Sequence, residues 1–438
     1  MFIKKNRSKQ ALESRASFLK KLGLAFGSGL GLVAFGGPIA RRTRAEGISD
    51  LCLPSRARSV IFLNMAGGMS HVDSLDPKPG NGPFGRVRSS INGVELSDRL
   101  PQTARELRRI NIVRSLYSRQ GDHSRASHLI HTGHDMMGGF RDQPCFGAVI
   151  AAAKHDPAQP FFPDHITLGG RGGMIGRGGF LGTRFDSFHV GNPDRPLQNL
   201  TPPGRPNEAS YYRRSRMVEL LDQNFAARVQ SPQTRVWQEM HTAALDFMNS
   251  DRLAVFEIER ESEALRRRFG NTATGKSLLL AKRLAEARVP FIEVTVGGWD
   301  THNNNRNKLT ELFGQLDAPF AALLGELGSS GLLDETLVVF NSEFGRTPRI
   351  SSNGDGRDHH PRAWSALIGG GGLPAGAVIG QTDEHANEPR GEGVHAKDFV
   401  ATIYRAAGLD PTGSLYNSQG RPMQLVPDAR PIPEFSAG

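Results

Sequence analysis

Several runs of apolar and β-branched residues predict strands that are buried on both faces of a sheet. The clearest runs are Ser59–Met65, Phe291–Val296 and Thr336–Phe340. A fourth run, Ala363–Ile368, is followed by four consecutive glycines. Apolar runs of this length are typical of the central strands of α/β proteins, because helices cover both faces of such a sheet.

A long amphipathic pattern lies between the second and third of these runs. Its apolar residues recur at spacings of three and four, which predicts a helix. These residues are Leu309, Leu312, Phe313, Leu316, Phe320, Leu323, Leu324 and Leu327. A strand, a crossover helix and a strand form a βαβ unit with parallel strands. The carboxyl ends of both strands should therefore lie at one edge of the sheet, where α/β proteins bind ligands.

Side chains that can bind a metal lie close to this predicted edge. Asp300 and His302 come after one strand, Glu343 comes after the other, and His359 and His360 precede the fourth run. Carboxylate oxygens and imidazole nitrogens bind divalent cations such as zinc, calcium or manganese. The pattern therefore predicts a metal-assisted site.

Two structural alternatives explain some of these residues without a metal. Asp300, Glu343 and Arg346 could form a buried ion-pair network that fixes the strand ends. Asp300 and His302 could instead cap the following helix. In the functional interpretation, Arg346 is a catalytic residue whose planar guanidinium group holds an oxyanion.

The segment between the first two strands contains a dense histidine cluster. Its members are His123, His128, His131 and His134. On a helix, His128 and His131 would share a face, which suits a metal. A solvated polar loop followed by a helix start is the simpler explanation. His123, which follows Asp122, is the member that we keep as a functional candidate.

The remaining segments predict loops and an insertion. Residues 168–181 are rich in glycine and predict a loop, and residues 192–207 are rich in proline and predict a linker. Residues 205–270 carry a strongly charged helical pattern, which predicts a helical insertion packed on the main sheet. We therefore expect a single domain over residues 46–438.

The charge of the chain is concentrated at its start. The formal net charge is +10, but residues 1–45 hold ten Lys and Arg and one acidic residue, so the remainder is close to neutral. This distribution argues for targeting and against binding to nucleic acid.

The first 45 residues have the parts of an export signal. A basic start is followed by an apolar run, Leu22–Phe35, and a small-residue exit, Thr43–Ala45. Ser14–Lys20 resembles the twin-arginine export motif, with Ala16 in place of the second arginine. A Sec signal, an uncleaved anchor and a basic cytosolic tail are the alternatives. The apolar run is too short for a stable membrane span, so we expect an exported protein in the periplasm or at the cell surface.

The chain contains two cysteines, Cys52 and Cys145. One disulfide and two unreactive thiols are both compatible with an exported protein. A zinc site built on cysteines is excluded, because no CxxC pattern occurs.

Several motifs carry a family likeness over nearly the whole mature chain. They are Gly67-Gly68 with Asp73 and Asp76-Pro77, Gly297–His302, Ser342–Pro348 and Arg357–His359. The sequence resembles the exported bacterial proteins grouped as domain of unknown function family 1501. That family is similar in fold to the alkaline phosphatase and sulfatase superfamily. The resemblance implies a three-layer α/β sandwich, with a central mainly parallel sheet and a metal site at its carboxyl edge.

The chain departs from the superfamily at the implied site. Glu343-Phe344 stands where the superfamily has Asp-His, which removes one imidazole ligand. Ala66–Gly68 stands where alkaline phosphatases have a metal-binding aspartate, and His71 or Asp73 would supply that ligand from the same loop. A formylglycine sulfatase is not expected, because the segment that resembles its motif lacks a cysteine. Ser124 or Ser70 would then be the nucleophile.

Three functions are consistent with these features. The first is an exported metal-dependent hydrolase of phosphate or sulfate esters, acting on a phosphorylated or sulfated small molecule or polysaccharide. The second is a non-catalytic module that kept the fold and binds a glycan or a partner protein at the cell surface. The third is a structural member of a cell-surface complex that docks through the helical insertion.

Overall fold

The computed structural model of this protein describes most of the chain after the predicted export signal. The described residues run from 47 to 435 with the exception of 137–141, 160, 171–175, 196, 198–212, 214–215, 219, 223, 226–227, 230, 249, 352–353 and 418. The predicted signal at 1–45 lies outside the described residues, as do parts of the predicted glycine-rich loop, linker and insertion. No helix in the described part of the chain is both long and apolar enough to cross a membrane.

The strands and helices alternate along much of the chain. The strands are β1 Ser59–Met65, β2 Arg86–Arg88, β3 Glu95–Ser97, β4 Asn111–Tyr117, β5 His165–Gly169, β6 Phe188–Val190, β7 Phe291–Val296, β8 Thr336–Asn341, β9 Gly345–Arg346, β10 His359–His360, β11 Trp364–Gly370, β12 Val378–Ile379, β13 Val394–His395, β14 Ser414–Tyr416 and β15 Pro422–Gln424. The α-helices are α1 Pro101–Glu106, α2 His123–Thr132, α3 Phe146–Ala153, α4 Pro232–Met248, α5 Glu263–Phe269, α6 Ala273–Glu286, α7 Asn305–Ser329 and α8 Ala396–Ala406.

A large central sheet has the strand order β12-β4-β11-β8-β1-β7-β5-β6, and β13 also pairs with β4. Strands β8, β1, β7, β5 and β6 run parallel to one another. Strand β11 runs antiparallel to both β8 and β4. The predicted strands β1, β7 and β8 and their parallel direction are confirmed. Strand β1 lies between the other two, so the predicted βαβ crossover passes over one central strand.

Helices cover both faces of this sheet, and alternate residues of β1 point into different apolar cores. Ile61 belongs to the same buried cluster as Leu278 of α6 and Leu323 of α7. Phe62 belongs to a second cluster, which contains residues of α3 and α8, among them Phe146. The structure thus confirms the predicted three-layer α/β sandwich with a mainly parallel sheet.

The described part of the helical insertion packs on the first core. Phe247 of α4 and Phe269 of α5 are buried in the cluster that lies against α6 and α7. The boundaries of the insertion at 205–270 and of the domain at 46–438 remain predictions. Cys52 and Cys145 are free thiols, so the structure contains no disulfide between them.

The carboxyl ends of β1, β7 and β8 lie level with one another at one edge of the sheet. In the parallel register, Met65 pairs with Val296, and Asn64 pairs with Asn341. The loops that follow these strands therefore meet, and they carry Asp300, His302 and Glu343 of the predicted site.

Candidate metal centre

Three imidazole groups converge on the carboxylate of Asp300. The Nε2 atoms of His123 and His359 each lie 3.5 Å from a carboxylate oxygen of Asp300. The Nε2 atom of His302 lies 3.1 Å from Asp300 Oδ1 and 3.0 Å from the Nε2 atom of His359. Side chains from three separate segments therefore meet here, and His123, Asp300 and His359 each offer a ligand atom within 4.8 Å of the other two.

Different elements carry these four residues. Asp300 and His302 lie in the loop after β7, as their position in the sequence predicts. His123 is the first residue of α2, whose amino end is capped when the Asp122 carboxylate accepts a hydrogen bond from the Arg125 amide. His359 lies in the short strand β10, where it pairs with Arg346 of β9.

Each imidazole is held by an oxygen atom at its other nitrogen. His123 Nδ1 donates to Glu343 Oε1 at 2.8 Å, and His302 Nδ1 lies 3.1 Å from Asp358 Oδ1. His359 Nδ1 donates to the carbonyl of Gly121 at 2.7 Å. When a ring is neutral, this arrangement leaves its Nε2 unprotonated, which is the form that binds a metal, and partners of this kind orient histidine ligands in metalloproteins.

The distances between these groups suit a divalent metal ion. Metal–ligand bonds of about 2.0–2.1 Å place tetrahedral ligand atoms about 3.3 Å apart, and His123, Asp300 and His359 each offer a ligand atom that lies within 4.8 Å of the other two. The buried Nε2 atom of His123 finds no hydrogen-bond partner among the described residues. Imidazole nitrogens favour zinc over calcium, which takes oxygen ligands. The residues present therefore fit a bound divalent metal ion.

The ionisation of the site favours a negative Asp300 and a neutral His359. Partial burial raises the pKa of Asp300, but the hydrogen bond and charge of Arg346 outweigh it and lower that pKa to about 2. Burial and the charge of Arg346 lower the pKa of His359. The pKa of His123 is raised, mainly by its hydrogen bond to Glu343. A proton therefore competes with a cation most strongly at His123.

The profile of one protein family, described as a protein of unknown function (DUF1501), matches residues 57–435. The chain belongs to the DUF1501 family. No curated protein matches it.

Solved structures with a similar fold have sequences that differ widely from that of this chain. One is Ps i-CgsB in complex with k-i-k-neocarrahexaose, with 12% identity over 82% of this chain and 72% of that chain and a TM-score of 0.40. Another is the lipoteichoic acid synthase LtaP from Listeria monocytogenes, with 9% identity over 88% and 92% of the two chains and a TM-score of 0.39. A third is a phosphonate monoester hydrolase from Silicibacter pomeroyi, with 11% identity over 86% and 76% and a TM-score of 0.37.

Glu343, which we predicted to be a ligand, lies behind His123. Its Oε1 atom accepts hydrogen bonds from His123 Nδ1 and from the Gly67 amide, both at 2.8 Å. Its Oε2 atom accepts a bond from the Ser342 hydroxyl at 3.2 Å. Burial raises the pKa of Glu343, but these donors outweigh it, and the pKa is lowered. Glu343 thus contacts His123 at Nδ1, and its role as a metal ligand stays a prediction.

Arg346 is buried and hydrogen-bonded to the loops around it. Its Nε donates to the Gly68 carbonyl at 2.9 Å and its Nη1 to the Arg357 carbonyl at 3.0 Å. Its Nη2 donates to the Gly67 carbonyl and to Asp300. The guanidinium group therefore holds Asp300 in place, as in the ion-pair alternative, and its catalytic role stays a prediction.

The loop after β1 places its predicted ligands in a separate polar network. Asp73 forms a buried ion pair with Arg357, with distances of 2.7 and 3.0 Å, and accepts a bond from the Ser70 hydroxyl at 2.7 Å. His71 is fully buried and its Nε2 donates to the Ala386 carbonyl at 2.9 Å. Burial lowers the pKa of His71 to about 4.

The last two predicted residues lie beside the centre. His360 Nε2 donates to the Asn387 carbonyl at 2.6 Å, and its ring stacks on that of His71 at 6.1 Å. Ser124 is exposed in the first turn of α2, directly after His123. Of the two serines, Ser124 is therefore the one that solvent reaches beside the imidazole cluster.

Sequence reasoning selected His123 but did not assign it to the metal site. The sequence does contain an indication of this role. Asp122 is a helix-capping residue, so His123 occupies the first position of the helix and projects from its amino end. The missing information was that α2 begins at the same sheet edge as the loop after β7.

Proposed function

We propose that this protein is an exported, metal-dependent hydrolase of phosphate or sulfate esters, with zinc bound by His123, Asp300, His302 and His359. The observation that carries the proposal is the convergence of three imidazole Nε2 atoms on one carboxylate, each ring being fixed at Nδ1 by an oxygen. The substrate class rests on the motif resemblance. The exported location rests on the predicted signal.

The bound ion would act as a Lewis acid that polarises the ester and takes up charge on its oxygens. The chain supplies the remaining requirements. Arg346 keeps Asp300 ionised and fixed, and the oxygen partners of the three rings hold their Nε2 atoms in the metal-binding form. The side chains of Asp300 and His302 are 48% and 40% exposed, so a substrate in solution can reach this face of the centre. Ser124 is the candidate nucleophile.

Elemental analysis of the purified protein tests the metal assignment. We expect one equivalent of zinc in the wild-type protein and loss of zinc in Asp300→Asn and in His359→Ala. His385→Ala is the matched control, because it removes an exposed imidazole from a different loop and should leave the zinc content unchanged. A wild-type protein that retains no zinc, even after incubation with the ion and desalting, would refute the metal centre.

A panel of phosphate and sulfate esters tests the activity. We expect hydrolysis by the wild-type protein that is lost on chelation, restored by zinc and absent in Asp300→Asn. Ser124→Ala should remove turnover while leaving the zinc content intact. Zinc binding without turnover of any ester on the panel would favour the second candidate function.

That second candidate is a non-catalytic glycan- or partner-binding protein that kept the fold. Two observations favour it, namely the burial of Arg346 within its hydrogen bonds and the burial of Ser70 against Asp73. It predicts glycan or partner binding that survives His302→Ala. Loss of that binding in His302→Ala would count against it.

A further inference from the structure

We propose that His131 and Glu293 are positioning residues for the metal centre. They form a buried pair that fixes α2 against β7 at the position where His123 meets Asp300. The inference rests on the proposed metal site, and it concerns side chains that lie outside that site.

The pair lies in the interior of the protein, between a helix and the sheet. His131 Nε2 lies 3.1 Å from Glu293 Oε1, and both side chains are almost completely buried. The same oxygen accepts hydrogen bonds from Asn64 of β1 at 3.2 Å and from Thr295 at 3.3 Å. His131 Nδ1 donates to the Ser127 carbonyl one turn earlier in α2 at 2.7 Å. Both nitrogens of this imidazole are therefore held.

The interaction is ionic in character. Burial alone lowers the pKa of His131, but the charge of Glu293 and the hydrogen bond to it reverse the effect, and the pKa is raised. A charge-assisted hydrogen bond in a dry interior is short, strong and directional. It therefore fixes one position of the helix relative to the strand.

This pair and the contact between His123 and Asp300 join the same two elements. Helix α2 carries both histidines, and β7 with the loop after it carries both acidic residues. His123 and His131 lie eight residues apart on α2, which is about 12 Å along a helix axis. Glu293 lies within β7, and Asp300 lies in the loop that follows its carboxyl end. A helix held at both ends can neither rotate nor slide. The contact between His131 and Glu293 is therefore coupled to the contact between His123 and Asp300.

Stability alone does not account for a buried charged pair at this position. Replacing such a pair by apolar side chains of similar volume is often neutral or stabilising, because both charges lose their water on folding. The apolar residues of α2, such as Leu129, pack in the second core, but apolar contacts tolerate small shifts. The pair thus specifies the position of the helix more than it stabilises the fold.

The test compares two double variants that each remove a buried polar pair from α2. The test variant is His131→Leu with Glu293→Met. The control is His128→Leu with Gln143→Met, because His128 Nε2 bonds Gln143 Oε1 at 2.9 Å and this pair makes no bond to β7. Zinc affinity is measured by isothermal titration calorimetry and thermal stability by differential scanning calorimetry. We expect the test variant to bind zinc at least tenfold more weakly, at a melting temperature within a few degrees of wild type. The control should bind zinc as the wild type does.

A folded test variant with wild-type zinc affinity would overturn the proposal, as would an equal loss of affinity in the control. If the test variant does not fold, Glu293→Gln takes its place, since it keeps the shape and an acceptor oxygen but removes the charge. We expect a smaller loss of zinc affinity for that variant, and an unchanged affinity would again overturn the proposal.

A crystal structure of the metal-free variant separates this proposal from the proposed function. The separation of His123 Nε2 from Asp300 Oδ2, which is 3.5 Å in the wild type, should lengthen by more than 1 Å. Failure of the wild-type protein to bind zinc refutes the proposed function, and the separation in the variant still decides whether the pair positions His123 against Asp300. An unchanged separation in the variant refutes the role of His131 and Glu293 alone.

Discussion

Replacing Glu343 by glutamine tests how far a buried carboxylate behind His123 strengthens the metal centre. Oε1 of Glu343 accepts bonds from His123 Nδ1 and from the Gly67 amide, both at 2.8 Å. Glutamine keeps the volume and can keep an acceptor oxygen at this position, but it carries no charge. The variant therefore reports on the charge behind the imidazole and leaves the packing nearly unchanged.

The size of the effect follows from the two kinds of hydrogen bond. A bond to a charged group contributes about 1.5–3 kcal/mol, and a neutral bond contributes about 0.5–1.5 kcal/mol. The difference is about 1–1.5 kcal/mol, which corresponds to roughly a tenfold change in affinity. Water screens this charge little, because Glu343 is 5% exposed. We therefore expect the zinc Kd of Glu343→Gln to rise about tenfold, at the lower end of the range for residues that support metal ligands.

Asp358 provides the comparison, because it makes the same contact with His302 in a different environment. The distance from Asp358 Oδ1 to His302 Nδ1 is 3.1 Å, but the Asp358 side chain is 61% exposed. Solvent and salt screen an exposed charge, so Asp358→Asn should raise the zinc Kd by only about two- to threefold.

Isothermal titration calorimetry at two salt concentrations distinguishes the two variants. The loss in Asp358→Asn should shrink at high salt, whereas the loss in Glu343→Gln should persist, because a buried pair is screened much less. An equal or larger loss in Asp358→Asn would refute the reasoning that burial sets the strength of these contacts. An unchanged affinity in Glu343→Gln would refute a supporting role for this carboxylate.

Three further predictions concern stability and pH. Arg357→Met leaves the Asp73 carboxylate buried without its cation and should cost about 3–5 kcal/mol of unfolding free energy, measured by urea denaturation. Gly68→Ala should destabilise the fold by about 1–3 kcal/mol in the same assay, because φ is +76° and a Cβ atom would lie 2.5 Å from the Phe344 ring. The raised pKa of His123 favours its protonated form, so zinc affinity should fall as the pH decreases through that raised value, above the range of an ordinary imidazole. In the metal-free protein, folding stability has the opposite pH dependence. The stabilising contribution of protonated His123 is complete below the ordinary imidazole pKa and is lost as the pH rises through the raised pKa. Titration calorimetry over a pH series checks the zinc affinity, and scanning calorimetry over the same series checks the stability.

The central sheet and its functional edge could be predicted from the sequence because their signals are local. Strands β1, β7 and β8 are continuous apolar runs, and a buried parallel strand requires such a run. Asp300 and His302 follow β7 within a few residues, so the edge on which they lie is determined as soon as the strand is recognised. The family resemblance added the sandwich architecture, which the pattern of strands alone leaves open.

The place of His123 could not be predicted in this way. It lies far from Asp300 in the sequence, at the start of a helix between β4 and β5, and it reaches the centre only because α2 packs on the sheet in one position. Helix periodicity gives the buried face of α2 but not its position along the sheet. That information depends on tertiary contacts such as the pair between His131 and Glu293.

The different positions of Asp300 and Glu343 depend on individual side-chain contacts, which the sequence pattern does not give. Asp300 and Glu343 both follow parallel strands by two to four residues, and both are compatible with metal binding in sequence terms. Glu343 is buried and accepts hydrogen bonds from the Gly67 amide and the His123 ring. Asp300 extends to the exposed face, where it contacts three imidazoles. Both oxygens of Glu343 accept hydrogen bonds from fixed donors. Arg346 donates to Asp300 Oδ1, and Asp300 Oδ2 lies 3.5 Å from His123 Nε2. In the proposed centre, Asp300 is therefore the ligand and Glu343 orients His123.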